Sequence, residues 1–448
     1  MTSYDQTMMN KYKDAIKDRV LFIRDDKKLK SLAFTDQLDI CTLSLKNCSN
    51  VIPTLNSKTI KQLELDSCSS KNIDGLQLNN LEVLKLNQNG SNVTFSNMQQ
   101  FNHLKELSIA YSKINDLSII SQLELLQKLN VFGCNIQTLN ISKTLKNLQE
   151  LFLQACQSVD ISSIQHLTKL TKLFMYENDI KDISAVSRLV NLKELKVSEN
   201  KITDISCLQN LIQLTSLDLS NNSIENIQNI QNLVNLEYLN LSWNKCVDIS
   251  PIAQLYKLTQ LDLCYNTINR LTHLSKLINL EYLDVSYNKN LDITPIQYLT
   301  NLQKLFVCAC GIYEISMLRP LLNLRMLFIN DNYIVHLQPI QHYTKLRSIS
   351  ADNNMIFDFS EIDKRQLISA TGGQMYPTQQ QLILANMMQT IDTTITKLRS
   401  LRKPNQTRVC ITTVKQQIFS NLKTIQFRQL LFTQNIVQLF ARLNSDID

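Results

Sequence analysis

Glycine and proline are scarce in this chain of 448 residues, which contains 6 glycines and 7 prolines. Average proteins contain about 7% Gly and about 5% Pro. Loops that cradle phosphate groups need several glycines in series, because the backbone must approach the ligand closely. No GxGxxG, GxxxxGKS or GxxxxGKT string occurs. The sequence therefore offers no nucleotide-binding loop, and we expect no cofactor and no small-molecule substrate.

Paired cysteines and long apolar runs are also missing. The 11 cysteines show no CxxC spacing, and an odd number without regular pairs is typical of free thiols in a reducing compartment. No window carries the apolar run needed for a membrane span, and the N-terminal residues contain no uninterrupted apolar core of signal-peptide length. We therefore expect a protein of the cytoplasm or the nucleus without a transmembrane segment.

The pattern LxxLxLxxN repeats along most of the chain. Its ninth position recurs with a constant period of twenty-two from Ser112 to Asn354, and with slightly variable spacing from Cys48 to Ser112. This register gives fifteen units. Asn occupies the ninth position in most of them, and Cys occupies it at five positions. The predicted structural ladder comprises Asn178, Asn200, Asn222, Asn244, Asn266, Asn288, Asn332 and Asn354.

The spacing has a simple physical meaning. One unit cannot bury its own apolar residues, so Leu217 of one unit must stack on Leu239 of the next to form a continuous core. The LxL part alternates inward and outward as a short strand does. An inward Asn can bond backbone groups that a buried turn leaves unpaired. Cys fits the same position, so the ladder cysteines are interpreted as buried structural thiols rather than metal ligands or nucleophiles, and no metal site is expected.

The second half of each unit contains strings such as DISPI and DITPI. Ser250 or Thr294 is predicted to cap a short helical turn, with Pro251 or Pro295 at its first position. A unit of this length leaves room only for a short helix or a 3-10 turn. We expect each unit to complete its bend through the inward Asn or Cys and these caps, without a left-handed glycine.

The unit LTSLDLSNNSIENIQNIQNLVN, at residues 214–235, resembles the 22-residue class of leucine-rich repeat. This class occurs in the regulatory subunit of type-1 protein phosphatase and in bacterial internalins. The resemblance covers residues 38–357. It implies an α/β fold, a right-handed leucine-rich-repeat solenoid. The expected solenoid has a curved parallel β-sheet on its concave face and short helical or 3-10 turns on its convex face.

Three domains are predicted. Residues 1–37 form an N-terminal cap, in which residues 20–23 and 29–34 could form a hairpin. Residues 38–357 form the solenoid. Residues 358–448 form a helical hairpin or a coiled-coil-like tail, with helices from Pro377 to about Arg402 and from near Thr413 to Leu443. This α-helical segment either caps the last repeat or pairs with another chain.

Most of the positive charge lies in the tail. The chain has a net charge of +7, and residues 360–448 contain 11 Lys and Arg against 5 Asp and Glu, a surplus of 6. One interpretation is a solvated helix end, where cations are favourable. The other is contact with an acidic partner, with anionic lipid or with a calmodulin-like groove. Nucleic acid is disfavoured, because no base-reading motif accompanies the charge.

Aromatic side chains concentrate at the outward positions of the strand face in the later repeats. Trp243, Tyr265 and Tyr287 occupy the same position of three successive units, so they are predicted to form a stacked row. Aspartates lie on the same face. The alternative is that aromatic residues only tolerate an exposed strand position. The predicted partner-binding residues are Tyr238, Trp243, Asp262, Tyr265, Tyr282, Asp284, Tyr287, Phe306 and Phe328.

The sequence favours a non-enzymatic scaffold that binds a protein partner on the concave strand face. The resemblance implies a phosphatase-regulatory or targeting subunit. The alternative is an internalin-like adhesion protein that acts outside the cell. A third hypothesis, a leucine-rich-repeat ubiquitin ligase with catalysis in the tail, would rest on Cys410, which has no His or carboxylate nearby in the sequence.

Overall fold

The computed structural model describes residues 3–26, 29, 32, 35–36, 38–48, 55–68, 76–87, 98–112, 114, 117–136, 139, 141, 143–156, 160–356 and 367–369. The chain divides into two compact units, Met1–Asn288 and Lys289–Asp448. Both are built from the predicted repeat. The predicted fold class, a leucine-rich-repeat solenoid with parallel strands and 3-10 turns, is confirmed.

The first unit opens with helix α1, Ser3–Tyr12, and continues into a long parallel sheet. Its strands are short because only the LxL part of each repeat is extended. The strands of this unit are β1 Val20–Arg24, β2 Thr42–Lys46, β3 Leu55–Asn56, β4 Gln62–Asp66, β5 Leu76–Gln77, β6 Val83–Asn87, β7 Glu106–Ser108, β8 Lys128–Asn130, β9 Glu150–Phe152, β10 Lys172–Phe174, β11 Glu194–Lys196, β12 Ser216–Asp218, β13 Tyr238–Asn240, β14 Gln260–Asp262 and β15 Tyr282–Asp284. Strands β3 and β5 form a separate two-stranded sheet.

Within the first unit, each strand of the main sheet pairs with the next in register. Leu217 of β12 lies opposite Leu239 of β13, which lies opposite Leu261 of β14. All three are fully buried, whereas the residues on either side of them are more exposed. The alternation follows from the period of two in a strand. The leucines form the core, and the flanking residues form the open strand face.

Short 3-10 turns carry the chain back toward the next strand. In the first unit they span Lys13–Ala15, Met98–Phe101, Ser118–Ile120, Ser162–His166, Ser184–Arg188, Ser206–Leu208, Gln228–Ile230, Ser250–Gln254 and Thr272–Leu274. The prediction that Ser250 caps such a turn is wrong. The carboxylate of Asp248 accepts the backbone N–H and the hydroxyl of Ser250, both at 2.8 Å. The aspartate of the DIS string therefore holds the start of the turn, because its side chain reaches the N–H two residues ahead.

The residue before the ladder position has a left-handed backbone in most repeats. Its φ is +51° at Asn221, +54° at Trp243 and +52° at Tyr265. Gly133 is the one glycine that occupies this position in the described repeats, with φ +69°. The bend thus avoids glycine nearly everywhere, as expected. It nevertheless requires a conformation that costs an ordinary side chain about 1–2 kcal/mol.

The sheet begins one strand earlier than the predicted first repeat. Strand β1 pairs in parallel with β2, so Val20–Arg24 is part of the repeat sheet rather than of the expected hairpin. Asp26, one repeat length before Cys48, occupies the ladder position of this extra unit. Its carboxylate is buried and accepts from the Lys11 ammonium at 2.6 Å and from the Tyr12 hydroxyl. Helix α1 is therefore tied to the first position of the ladder.

The second unit repeats the same architecture. Its strands are parallel and consecutive, β16 Lys304–Phe306, β17 Met326–Phe328, β18 Ser348–Ser350 and β19 Leu367–Ser369. Its 3-10 turns span Thr294–Tyr298, Ser316–Leu318 and Gln338–Ile340. Leu305, Leu327 and Ile349 form its strand core and are fully buried.

The predicted tail comprises residues 358–448, and its two predicted helices lie outside the described residues. The described part of this segment is the strand Leu367–Ser369. Within the described residues, no helix is both long enough and apolar enough to cross a membrane.

Candidate functional site

The asparagine ladder lines the turn that follows each strand. The Nδ2 atom of Asn222 lies 3.0 Å from the carbonyl oxygens of Val197 and Leu219 and 3.1 Å from that of Ser220. Its Oδ1 accepts the backbone N–H of Ile202 at 3.0 Å. One side chain thus satisfies backbone groups of neighbouring repeats. The same bonds recur at Asn178, Asn200, Asn244, Asn266, Asn288, Asn332 and Asn354.

The ladder cysteines lie in the same position with their thiols against backbone carbonyls. Cys156 donates to the carbonyl oxygen of Val131 at 3.2 Å, and Cys68 donates to that of Leu45 at 3.4 Å. Burial raises the pKa of Cys68 to about 11 and that of Cys156 to about 12. A thiol held in the protonated form is a poor nucleophile and a poor metal ligand. Within the described residues, no cysteine forms a disulfide bond.

Three aromatic side chains stack across neighbouring repeats. The ring centroids of Trp243 and Tyr265 lie 3.7 Å apart with 14° between the ring planes. Those of Tyr265 and Tyr287 lie 4.0 Å apart with 11° between the planes. Trp243 is 52% exposed and Tyr287 is 40% exposed. The structure therefore brings together the three residues that the repeat spacing had predicted to form a row. We call them the Trp243 stack.

The Trp243 stack lies on the turn after the strands and not on the strands themselves. Each of its residues has the left-handed backbone of the position before the ladder, with φ between +52° and +59°. Large aromatic residues are unusual there, since Asn, Asp and Gly tolerate this conformation best. Asn occupies the same position at Asn221, one repeat before Trp243. The chain thus uses aromatic side chains where a turn alone would favour a smaller residue.

Two aspartates precede residues of the Trp243 stack by three positions, Asp262 before Tyr265 and Asp284 before Tyr287. Asp262 and Asp284 lie directly opposite each other on β14 and β15. The Oδ1 atoms accept the N–H of Cys264 at 3.0 Å and of Ser286 at 2.8 Å, respectively. Burial raises the pKa of both carboxyl groups, that of Asp284 to about 6, and each pKa is raised further by the charge of a neighbouring aspartate. We call these two residues the aspartate pair.

Tyr282 lies two residues before Asp284 on β15, and Tyr238 has the same position on β13, two residues before Asn240. Both tyrosines therefore share the strand face with the aspartate pair. They are separated by Gln260 of the strand between them. Burial and the nearby aspartates raise the pKa of both phenols. Tyr238, Tyr282 and the aspartate pair therefore share one strand face, and along each repeat the position of the aspartates lies between the position of these tyrosines and that of the Trp243 stack.

Asp262, Cys264 and Asp284 also bring three ligand-type atoms within 4.8 Å of one another. Burial, followed by the charges of both aspartates, raises the pKa of the Cys264 thiol, so this thiol is protonated at neutral pH. The group can act as a hydrogen-bonding and electrostatic site for a cation without a thiolate ligand.

The remaining predicted residues lie in the second unit. Phe306 of β16 and Phe328 of β17 are opposite each other in register, and their rings stack with centroids 4.9 Å apart and 20° between the planes. They form an aromatic pair on the strand face of that unit.

Glu and Lys alternate along the earlier strands and form a series of ion pairs, which the sequence analysis did not predict. The Lys128 ammonium lies 3.5 Å from a Glu106 oxygen and 3.7 Å from a Glu150 oxygen. It also lies 5.7 Å from the centroid of the Phe152 ring. Lys172 continues the row with an ion pair of 2.9 Å to Glu194. The alternation of Glu and Lys from one repeat to the next at this strand position was the signal for it.

A row of exposed apolar side chains was also missed. It recurs once per repeat in the loops before strands β11 to β15, where the pattern reads Leu-x-x-Leu. Its members are 44–55% exposed. They are Val190, Ile212, Val234, Tyr256 and Ile278. The following Asn in several of these loops donates to the preceding repeat, as Asn235 does to the carbonyl oxygen of Ile212 at 2.9 Å.

Comparisons with known proteins agree with this architecture. The family model described as leucine-rich repeats in two copies matches residues 168–210 and 212–254. The chain thus contains leucine-rich repeats, a class that typically serves as a protein-interaction module. A comparison with curated protein sequences gave no match.

Several solved structures are similar to this chain. An internalin from Listeria monocytogenes is 28% identical, with a TM-score of 0.55, and the match covers 62% of this chain and 89% of that protein. A leucine-rich-repeat protein from Leptospira interrogans is 25% identical, with a TM-score of 0.59 and coverage of 72% and 93%. The functional domain of internalin J from Listeria monocytogenes, which includes a cysteine ladder, is 23% identical, with a TM-score of 0.57 and coverage of 77% and 70%.

Proposed function

We propose that this protein is a non-enzymatic scaffold that binds a protein partner through the strand face of its first unit and the turns that directly follow those strands. The observation that carries the proposal is the exposed Trp243 stack. Its members have a backbone conformation that favours small residues, so folding alone gives no reason for three aromatic side chains there. Exposed aromatic side chains are enriched among the residues that dominate binding energy at protein interfaces.

The surface around the stack is suited to such a role. Tyr238, Tyr282 and the aspartate pair lie on the same strand face, which combines aromatic anchors with polar groups that specify orientation. The rigid repeat core beneath them holds the side chains in fixed register. Phe306 and Phe328 supply a second aromatic contact in the other unit.

Affinity capture from the source cells tests this proposal. The wild-type chain is compared with a Trp243→Asn/Tyr265→Asn/Tyr287→Asn variant, in which Asn suits the left-handed backbone. Tyr256→Asn, which removes an exposed aromatic side chain outside the stack, is the matched control. We expect the triple variant to recover at least one partner tenfold less well, while the control behaves like the wild type. Equal recovery of every partner by all three proteins would refute the proposal.

The finer form of this proposal is a phosphatase-regulatory or targeting subunit acting in the cytoplasm or the nucleus. It is supported by the repeat class and by the described cysteines, which form no disulfide bond and so suit a reducing compartment. Co-purification of the full chain with a type-1 phosphatase catalytic subunit tests it directly. Absence of the phosphatase among captured partners would remove this form and leave the scaffold role.

A second candidate is adhesion outside the cell, and the 28% identity to a listerial internalin favours it. Fractionation of the source cells distinguishes the two. Protein that is accessible to protease added to intact cells supports the adhesion role, and protein that is fully protected contradicts it.

A further inference from the structure

The strand face changes its charge pattern between the earlier and the later repeats of the first unit. Strands β7 to β11 alternate Glu and Lys, so each carboxylate has an ammonium group on a neighbouring strand. Strands β12 to β15 read SLD, YLN, QLD and YLD, with three aspartates and no Lys or Arg. Asp218 of β12 lies opposite Lys196 of β11, whereas Asp262 lies between Asn240 and Asp284 and has no Lys or Arg opposite it.

The aspartate pair is unfavourable for the folded chain by itself. Two carboxylates directly opposite each other on neighbouring strands repel, since the strands lie only about 4.8 Å apart. Both side chains are partly buried, which strengthens the repulsion. Neither forms an ion pair within the described part of the chain. A cation placed between them would relieve this repulsion.

The earlier repeats show which cation suits such a site. Lys128 lies between two carboxylates, over the ring of Phe152. Lys196 lies 4.8 Å from the centroid of the Phe174 ring. In both cases an ammonium group is held at an aromatic ring of this strand face. In the later repeats each of the two aspartates precedes a residue of the Trp243 stack by three positions, and Asp284 follows Tyr282 by two, but strands β12 to β15 contain no lysine.

We propose that the aspartate pair and the neighbouring aromatic residues bind a Lys or Arg side chain of a polypeptide partner. This inference rests on the proposed function and specifies the chemistry of the partner. An ammonium or guanidinium group pairs with both carboxylates and also contacts aromatic rings. A hydrated divalent ion gains nothing from the rings, and the protonated Cys264 thiol is a poor ligand for it. The net charge of the whole chain is +7, so a basic partner is attracted by this local surface rather than by the overall charge.

The probe for the test is a phage-displayed library of random dodecapeptides, selected on the immobilised full chain and depleted on the triple Trp243-stack variant. We expect the selected peptides to contain at least three times as many Lys and Arg as Asp and Glu. Synthetic versions should bind at least tenfold more weakly to Asp262→Asn/Asp284→Asn, with affinity that decreases as salt increases. The matched control, Glu124→Gln/Glu225→Gln, makes the same change in net charge at exposed positions outside this surface.

The possible outcomes are distinct. Selected peptides without basic excess, or with equal affinity for the double aspartate variant, would overturn the inference and leave the binding surface in place. Binding that disappears with EDTA would also overturn it, because the cation would then be a metal ion. If no peptide prefers the wild type over the triple variant, both the inference and the proposed surface fail. Asn240→Lys, which places a lysine opposite Asp218 and Asp262, should block the peptides without removing any carboxylate.

Discussion

The indole ring of Trp243 stacks on the phenol ring of Tyr265 at a centroid distance of 3.7 Å, and both residues have a left-handed backbone. The ring stacking stabilises the folded state, whereas the left-handed backbone destabilises it. A stacked aromatic pair stabilises by about 0.5–1.5 kcal/mol, whereas a left-handed backbone costs a non-glycine residue about 1–2 kcal/mol. The stack therefore adds little to folding, which makes it a good place to separate stability from binding.

We predict that Trp243→Asn changes the free energy of unfolding by less than about 1 kcal/mol, because the relief of backbone strain offsets the lost stacking. Partner capture should nevertheless decrease tenfold or more. Urea denaturation and quantitative capture measure the two effects separately. Trp243→Ala is the companion variant, since Ala loses the stacking and keeps the strain. A large loss of stability in Trp243→Asn would show that the stack is a structural element.

The asparagine ladder predicts that Asn222, unlike Trp243, is needed for stability. Asn222→Ala removes one acceptor and a donor shared among three carbonyl oxygens inside the turn. Leaving such groups unpaired should lower the free energy of unfolding by about 1–3 kcal/mol. Asn235→Ala is the control, because the half-buried Asn235 amide donates to one backbone carbonyl oxygen, that of Ile212, and accepts from the Lys257 ammonium group. Urea denaturation of the two variants should show a clearly larger decrease at Asn222, and equal midpoints would disprove the ladder role.

The aspartate pair predicts a pH-dependent stability. Burial, with the charge of Asp262, raises the pKa of Asp284 to about 6, above the ordinary value of about 3.9 in an unfolded chain. The folded state therefore holds this proton more tightly, and that stabilisation is lost as the pH increases through about 6. Asp284→Asn keeps an oxygen for the Ser286 N–H and removes the charge. It should be more stable than the wild type by about 1–2 kcal/mol at pH 7.5 and equally stable at pH 4.

Denaturation at several pH values measures this difference. Asp182→Asn is the control, because the N–H of Ser184 lowers the pKa of the Asp182 carboxyl group. That substitution should not stabilise the protein at pH 7.5. If Asp284→Asn is destabilised at every pH, the carboxylate is a structural hydrogen-bond acceptor rather than a repelled charge.

The repeat register predicted most of the fold because one physical requirement acts at every unit. Leucines that recur at the same positions of every repeat must stack to be buried, and stacking in register produces a parallel sheet. The same period brought Trp243, Tyr265 and Tyr287 into one row, since residues at equal positions of adjacent units are neighbours. The period therefore predicted the row, but not its position on the turn after the strands.

Other features depend on backbone geometry that the residue types do not reveal. The left-handed conformation at Trp243 contradicts the local preference of a tryptophan, so propensity gives no sign of it. The turn at Ser250 could be capped by its own hydroxyl or by Asp248, and only the structure distinguishes the two. The extra repeat at Asp26 agrees with the repeat period. It was not predicted, because the other ladder positions hold Asn, Cys or Ser rather than Asp.

Gly133 occupies a position where most other repeats have a side chain. A Cβ atom at Gly133 would lie 2.7 Å from Cδ1 of Tyr111, and its φ is +69°. Gly133→Ala should therefore combine backbone strain with a steric clash, lowering the free energy of unfolding by about 2–3 kcal/mol. Gly311→Ala isolates the strain, since its φ is +73° but its nearest neighbour is 3.5 Å away. It should cost about 1 kcal/mol. Adding Tyr111→Ala to Gly133→Ala should remove the steric part, and a double-mutant cycle with no coupling would show that the Tyr111 ring does not require the glycine.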